Sequence, residues 1–176
     1  MEVGRHSKER LEELSQHTSD LQTPTVQRHG DMIMKFTLHI IPKAQMRARH
    51  STKNGFHRTH KHPQQEIEEG NLCALLQPYR PAQPLEGPLV LKVAAFLPVP
   101  MSWSGKRISQ AEMGLTKPIC KPDLDNLVKN LKDCLTTTSF WNDDKQVVSL
   151  IADKRYNDGQ GPRWEVEITP AAEAKE

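Results

Sequence analysis

The sequence predicts an α/β (α+β) fold, a small mixed β-sheet packed with two main helices. Three observations carry that expectation. Four runs of apolar and β-branched residues have strand length and end at prolines, glycines or polar clusters. Two other stretches space their apolar residues for a helix. The segments follow one another as strand, helix, strand, helix and a closing pair of strands, an order that suits layers of helix on sheet.

Residues 1–33 are polar and are expected to form a flexible N-terminal extension, with "SKERLEELSQ" offering at most a short helix. "MKFTLHIIP" (34–42) stops at a proline and reads as the first strand, so the folded domain is placed at 34–170, with 171–176 as a C-terminal tail. Between Lys35 and His62 stand Lys35, Lys43, Arg47, Arg49, Lys53, Arg58 and Lys61, with no acidic residue. A block of one sign in loops either contacts phosphates or is simply solvated. "HRTHKH" (57–62) adds three histidines, but no cysteine or carboxylate is near in sequence to complete a zinc site.

"QQEIEEGNLCALLQ" (64–77) is an amphipathic helix interrupted by Gly70, and "PYRPAQPLEGP" is a connection. "LVLKVAAFLPVP" (89–100) is an apolar run closed by prolines, as expected of a buried strand. "SWSGKRISQAEMGLTK" then reads as a long basic loop carrying Lys106, Arg107 and Lys117. Leu124, Leu127, Val128, Leu131 and Leu135 form a helical stripe, which predicts a helix over 124–135. "QVVSLIADKRY" (146–156) and "RWEVEIT" (163–169) are strands, and the turn-rich "NDGQGP" between them predicts a hairpin. In the last strand Trp164, Val166 and Ile168 share one face.

The 176 residues suffice for one ordinary domain and a tail, and two full domains would be crowded. Hydrophobic residues are 36% and charged residues 26%, so part of the chain is expected to be strongly solvated. Cys73, Cys120 and Cys134 lie far apart and suit reduced thiols better than a disulfide framework. No run reaches the ~18 apolar residues of a membrane span, and "MEVGRHSKER" lacks a signal-peptide core, so a cytoplasmic protein is expected.

The chemistry concentrates in "KPDLDNLVKN" (121–130), where Asp123 precedes a helix and Asp125 lies in its first turn. An aspartate cap, a first-turn acid facing the helix dipole and an i,i+4 ion pair from Asp125 to Lys129 account for these residues without any function. A third acid weighs against that account. "FWNDDKQVV" brings Asp143 and Asp144 to the start of a strand, where loops carry functional groups. Three carboxylates that meet make a hard oxygen site for Mg²⁺ or Mn²⁺. Such an ion polarises a phosphodiester and neutralises developing charge, while a nearby lysine stabilises the transition state. Spacing alone leaves open whether the acids meet.

"KPDLDNLVKNLKDCL" followed by "FWNDDKQVV" resembles the signature of the RusA family of Holliday junction resolvases, small endonucleases of bacteria and their prophages. "IPKAQMRAR", "EGPLVLKVAAFLPVPMSWSGKR" and "RWEVEIT" extend the likeness over roughly residues 34–170. The resemblance implies that Asp123, Asp125 and Asp144 hold Mg²⁺ or Mn²⁺, that Lys129 is the catalytic lysine, and that a homodimer nicks opposed strands of a four-way junction. A two-fold dimer suits a two-fold substrate. Arg47, Arg49, Lys106, Arg107 and Lys121 are the DNA-binding candidates. Phosphate contacts should make binding steeply salt-sensitive, with branched shape doing most of the selecting. A non-cleaving binder of branched DNA, or a nuclease acting on forks or flaps, would share these sequence features. The 33-residue extension and the histidine-rich stretch depart from the family pattern.

Overall fold

The computed structural model describes residues 33–46, 49–53, 56–60 and 62–171, with side chains described throughout except in 49–53 and 56–60. The 1–33 extension and the 171–176 tail therefore fall almost wholly outside the described residues.

Strand β1 (Met34–Leu38) opens the domain, and β2 (Arg49–Lys53) and β3 (Phe56–His60) form an antiparallel pair. Helix α1 (Pro63–Leu76) leads through a 3-10 turn to β4 (Leu89–Leu97). Helices α2 (Gly105–Glu112) and α3 (Leu124–Thr137), a second 3-10 turn (Asp144–Gln146), β5 (Val147–Tyr156) and β6 (Arg163–Pro170) complete it. The main sheet has the order β1-β6-β4-β5, with β4 parallel to β5 and antiparallel to β6. The sheet is mixed and two long helices pack on it, as the periodicities imply.

Alternation builds the core. Leu89, Leu91, Val93, Ala95 and Leu97 of β4 point inward, as do Phe36 and Leu38 of β1 and Trp164, Val166 and Ile168 of β6. They meet Leu72 and Leu76 of α1 and Leu127, Val128, Leu131, Cys134 and Leu135 of α3 in one cluster. The opposite face of the sheet is charged: Glu167 takes Lys35 and Lys92, each at 3.1 Å.

Three expectations are corrected. β5 and β6 do not form a hairpin, because β4 lies between them and pairs with both. The six residues 157–162 cross over the end of β4, where the Asn157 amide donates to the Leu97 carbonyl at 2.7 Å. Strands about 4.8 Å apart allow a connection of this length to skip one neighbour. The stretch read as a basic loop contains α2, a helix that buries only Ala111 and so lacks an apolar stripe to reveal it. The basic block includes the β2–β3 pair, whose polar sequence gives no strand alternation. All three cysteines are free thiols.

The crossing ends in a buried charge. Arg163, 3% exposed, donates to both Asp158 oxygens at 2.7 and 2.8 Å and to Glu165, and stacks 3.7 Å from the Phe96 ring centre. The Arg163 guanidinium holds the Asp158 carboxyl down at about 2. An unfolded aspartate titrates at ~3.9, so this stabilisation is present above pH ~4 and is lost as pH falls through about 2. The melting-temperature difference between wild type and Asp158→Asn should therefore shrink between pH ~4 and ~2. A difference independent of pH over that window would show that the pair contributes nothing through charge.

Candidate active site

The Asp123–Asp125 motif opens α3, whose apolar stripe fixes which residues face outward. Leu124, Leu127, Val128, Leu131 and Leu135 turn toward the core, leaving Asp125 and Lys129 exposed, with Lys132 one turn beyond on the same side. Asp123 occupies the N-cap position with extended backbone, yet its side chain makes no capping hydrogen bond. No ion pair joins Asp125 to Lys129. Among the described residues the side chains of Asp123, Asp125 and Lys129 have no partner, so the capping and ion-pair roles that would explain them structurally are not taken up.

The approach to Asp123 is fixed from the sheet. Lys154 of β5 donates through Nζ to the carbonyls of Cys120 and Pro122, at 2.9 and 2.8 Å. Its ammonium therefore holds residues 120–122, the stretch of chain that delivers the first motif acid. The parallel pairing of β4 with β5 puts Lys154 there, and no local sequence pattern reports it.

The acids of "NDD" separate by role. Asp143 caps the 3-10 turn: its carboxylate accepts from the Lys145 amide at 2.9 Å, while Gln146 Oε1 accepts from the Asp143 amide at 3.1 Å. The Lys145 amide and ammonium hold the Asp143 carboxyl below its ordinary range. Asp-x-x-Gln is a capping-box spacing, a signal that could have assigned this role from sequence. Asp144 turns the other way, to Lys132 of α3 at 3.2 Å, with its side chain about half exposed. Trp141, fully buried, anchors the segment by donating from Nε1 to Thr136 Oγ1 at 2.7 Å.

Asp144 thus meets α3 beside Lys132, seven residues or about 10 Å along the axis from Asp125. Asp125, Lys129, Lys132 and Asp144 follow one side of the helix. Among the described residues no three His, Cys, Asp or Glu side chains stand close enough together to hold a metal ion. The donor chemistry nevertheless suits Mg²⁺, which binds through one or two carboxylates together with waters and substrate phosphates. Asp123 and Asp125, unengaged at one helix end, provide such a pair.

The basic candidates take different places. Lys121 is exposed directly before the motif, and Lys106 and Arg107 are exposed on α2, where Arg107 stacks 3.7 Å from the centre of Trp103. Arg47 lies outside the described residues, and Arg49 belongs to β2, whose side chains are not described. The chain leading to them is stitched to α3: the Gln45 amide donates to the Asn126 carbonyl at 3.2 Å, and Asn130 Nδ2 donates to the Lys43 carbonyl at 2.9 Å. The basic segment therefore leaves the domain beside the motif helix. His62 of the histidine-rich stretch has a structural use, accepting from the Gln64 amide at the start of α1.

Known proteins are similar to this chain over most of its length. Residues 39–169 match the family described as Endodeoxyribonuclease RusA. An uncharacterised Bacillus subtilis (strain 168) protein, YqaN, is 36% identical over 137 residues, 77% of this chain and 94% of the relative. The crossover junction endodeoxyribonuclease of Lactococcus phage r1t is 51% identical over 49 residues, 28% of this chain and 36% of the relative.

Proposed function

Because the chain belongs to the RusA family of endodeoxyribonucleases, we propose that it is a divalent-metal-dependent resolvase, cutting four-way DNA junctions by paired, symmetric phosphodiester hydrolysis in recombination and repair. The observation that carries this reading is the pair of carboxylates at the start of α3, with Lys129 one turn beyond and none of the three engaged by the fold. Asp123 and Asp125 would hold Mg²⁺ or Mn²⁺, and Asp144 would join them as the third ligand by leaving Lys132 and moving toward the start of α3. A bound ion supplies positive charge at the phosphodiester and acidifies water. Lys129, free to reach along the helix face, binds a phosphate oxygen and stabilises the charge that grows there. Lys121, Lys106 and Arg107 position the DNA backbone across this face, joined by Arg47 and Arg49 from the basic segment. Two copies acting together supply the two opposed cuts.

The test is cleavage of an end-labelled four-way junction beside a linear duplex of the same sequence, with Mg²⁺ or EDTA. Symmetric nicks in the junction alone, lost with EDTA, are expected. Tight junction binding without cleavage in any metal would make the chain a binder, and equal cutting of forks or flaps would broaden its substrate class.

The two acids of "NDD" give a sharper contrast. Asp144→Asn should lower cleavage by about a hundredfold or more, with little change in melting temperature. Asp143→Ala should lower the melting temperature slightly and spare cleavage, since it removes a cap. Loss of cleavage in Asp143→Ala alone would exchange the assignments.

A further inference from the structure

Among the described residues the two most exposed large apolar side chains are Met101 and Ile119, at 99% and 98%, on either side of α2 between β4 and α3. Both are held from behind. Ile119 stands between Pro118, which is buried, and Cys120, whose carbonyl accepts from Lys154 at 2.9 Å. Met101 lies in a turn closed by the Trp103 amide on the Pro100 carbonyl at 3.1 Å. The two supports meet on Tyr156 at the end of β5: Trp103 packs edgewise against its ring, 5.1 Å between centres, and Cys120 Sγ lies 3.7 Å from its hydroxyl. The fold thus brings both stretches of chain to one end of the sheet and still leaves their apolar side chains in water.

We propose that Ile119 and Met101 are wedge residues that cover the open base-pair faces at the branch point of a four-way junction. This inference rests on branched DNA as the substrate and names what tells the branch from a plain duplex. Inside a continuous duplex each base pair is stacked on both sides. Where four arms meet, stacking is interrupted, and flat apolar faces open that an unbranched duplex offers only at its ends. Covering such a face removes apolar surface from water on both partners. Isoleucine and methionine are among the side chains that proteins insert between base steps. Ile119 is four residues from Asp123, at most ~14 Å of chain, so wedge and scissile phosphate would fall within about four base pairs of each other.

Charge selects DNA as the occupant. Between Pro100 and Pro122 stand Lys106, Arg107, Lys117 and Lys121 against the single acid Glu112, and all four cations are exposed. Ile119 lies midway between Lys117 and Lys121. The apolar centre of a protein–protein patch is depleted in charge, lysine included, whereas a nucleotide presents a base flanked by phosphates. The roles then divide. The cations grip any duplex, and the apolar pair responds only to a break in stacking.

The test is made in EDTA, so that cleavage plays no part, with 2-aminopurine, a base whose fluorescence rises as it unstacks, placed beside the branch point or midway along one arm. Saturating wild type should brighten the probe at the branch and leave the one in the arm unchanged. Ile119→Ser with Met101→Ser should abolish that brightening and weaken junction binding about tenfold, the size of one lost base stack, while duplex binding holds. Both side chains lie in water, so the double variant should melt with the wild type. Lys121→Gln should instead weaken junction and duplex alike and lower the salt slope by about one. A double variant that still brightens the branch probe at saturation would overturn the proposal, as would equal weakening on junction and duplex. Lost self-association in sedimentation with junction selectivity intact would give the pair to a second copy and overturn it too. A wild type that binds no junction would overturn the substrate class as well, whereas failure of the brightening alone leaves the nuclease reading standing.

Discussion

Asp125→Asn is expected to cut junction cleavage by about three orders of magnitude or more while leaving junction binding equal or tighter. The size follows from the role: losing one anionic ligand of a divalent cation removes several kcal/mol of transition-state stabilisation, and each ~1.36 kcal/mol is tenfold in rate. Binding is spared because the change removes a negative charge from a face meant for phosphates. The fold is spared as well, because the Asp125 carboxylate is exposed and makes no hydrogen bond or ion pair among the described residues. Single-turnover cleavage, gel-shift titration and a melting curve on the same preparation separate the three effects. Unchanged cleavage would return the motif to a structural role.

The second large effect is on stability. Trp141→Ala should cost about 3–5 kcal/mol, the usual range for emptying a buried aromatic site, and lower the melting temperature by about 10 °C. Trp141 is 1% exposed, bridges to Leu85, and gives its indole N–H to Thr136 on α3. It also precedes the turn that carries Asp144. Cleavage measured well below the lowered melting point should therefore fall too, more than for an equally destabilising change remote from the site. Leu72→Ala on α1, which empties another buried site of the same core, provides that comparison. Equal residual activity in the two would show that Trp141 supports the fold without positioning the acid.

The parts of the molecule legible in the sequence are those governed by local periodicity. The α3 stripe is a spacing of 3.6, and Trp164, Val166 and Ile168 share a face by alternation; both survive in the structure. Strand partners are set by distant contacts, so the turn-rich link after β5 looked like a hairpin, while the hydrogen bonds of both strands went to β4. Helix α2 escaped because a helix lying on the surface with one buried residue has no stripe. At the site, the two aspartates and Lys129 could be read from the motif. Two things could not: that the fold leaves their side chains unengaged, and that Lys154 fixes their approach. The first is a matter of side-chain geometry, and the second depends on a non-local parallel pairing.

The Lys154 clamp also hands the alignment of the motif to the sheet. Its two hydrogen bonds tie the start of the motif to β5, so the first motif acid is placed by the parallel register of β5 on β4. A slip of one residue in that register would turn Lys154 to the other face of the sheet and release both carbonyls. A strand remote in sequence from the aspartates would thus act as their alignment pin.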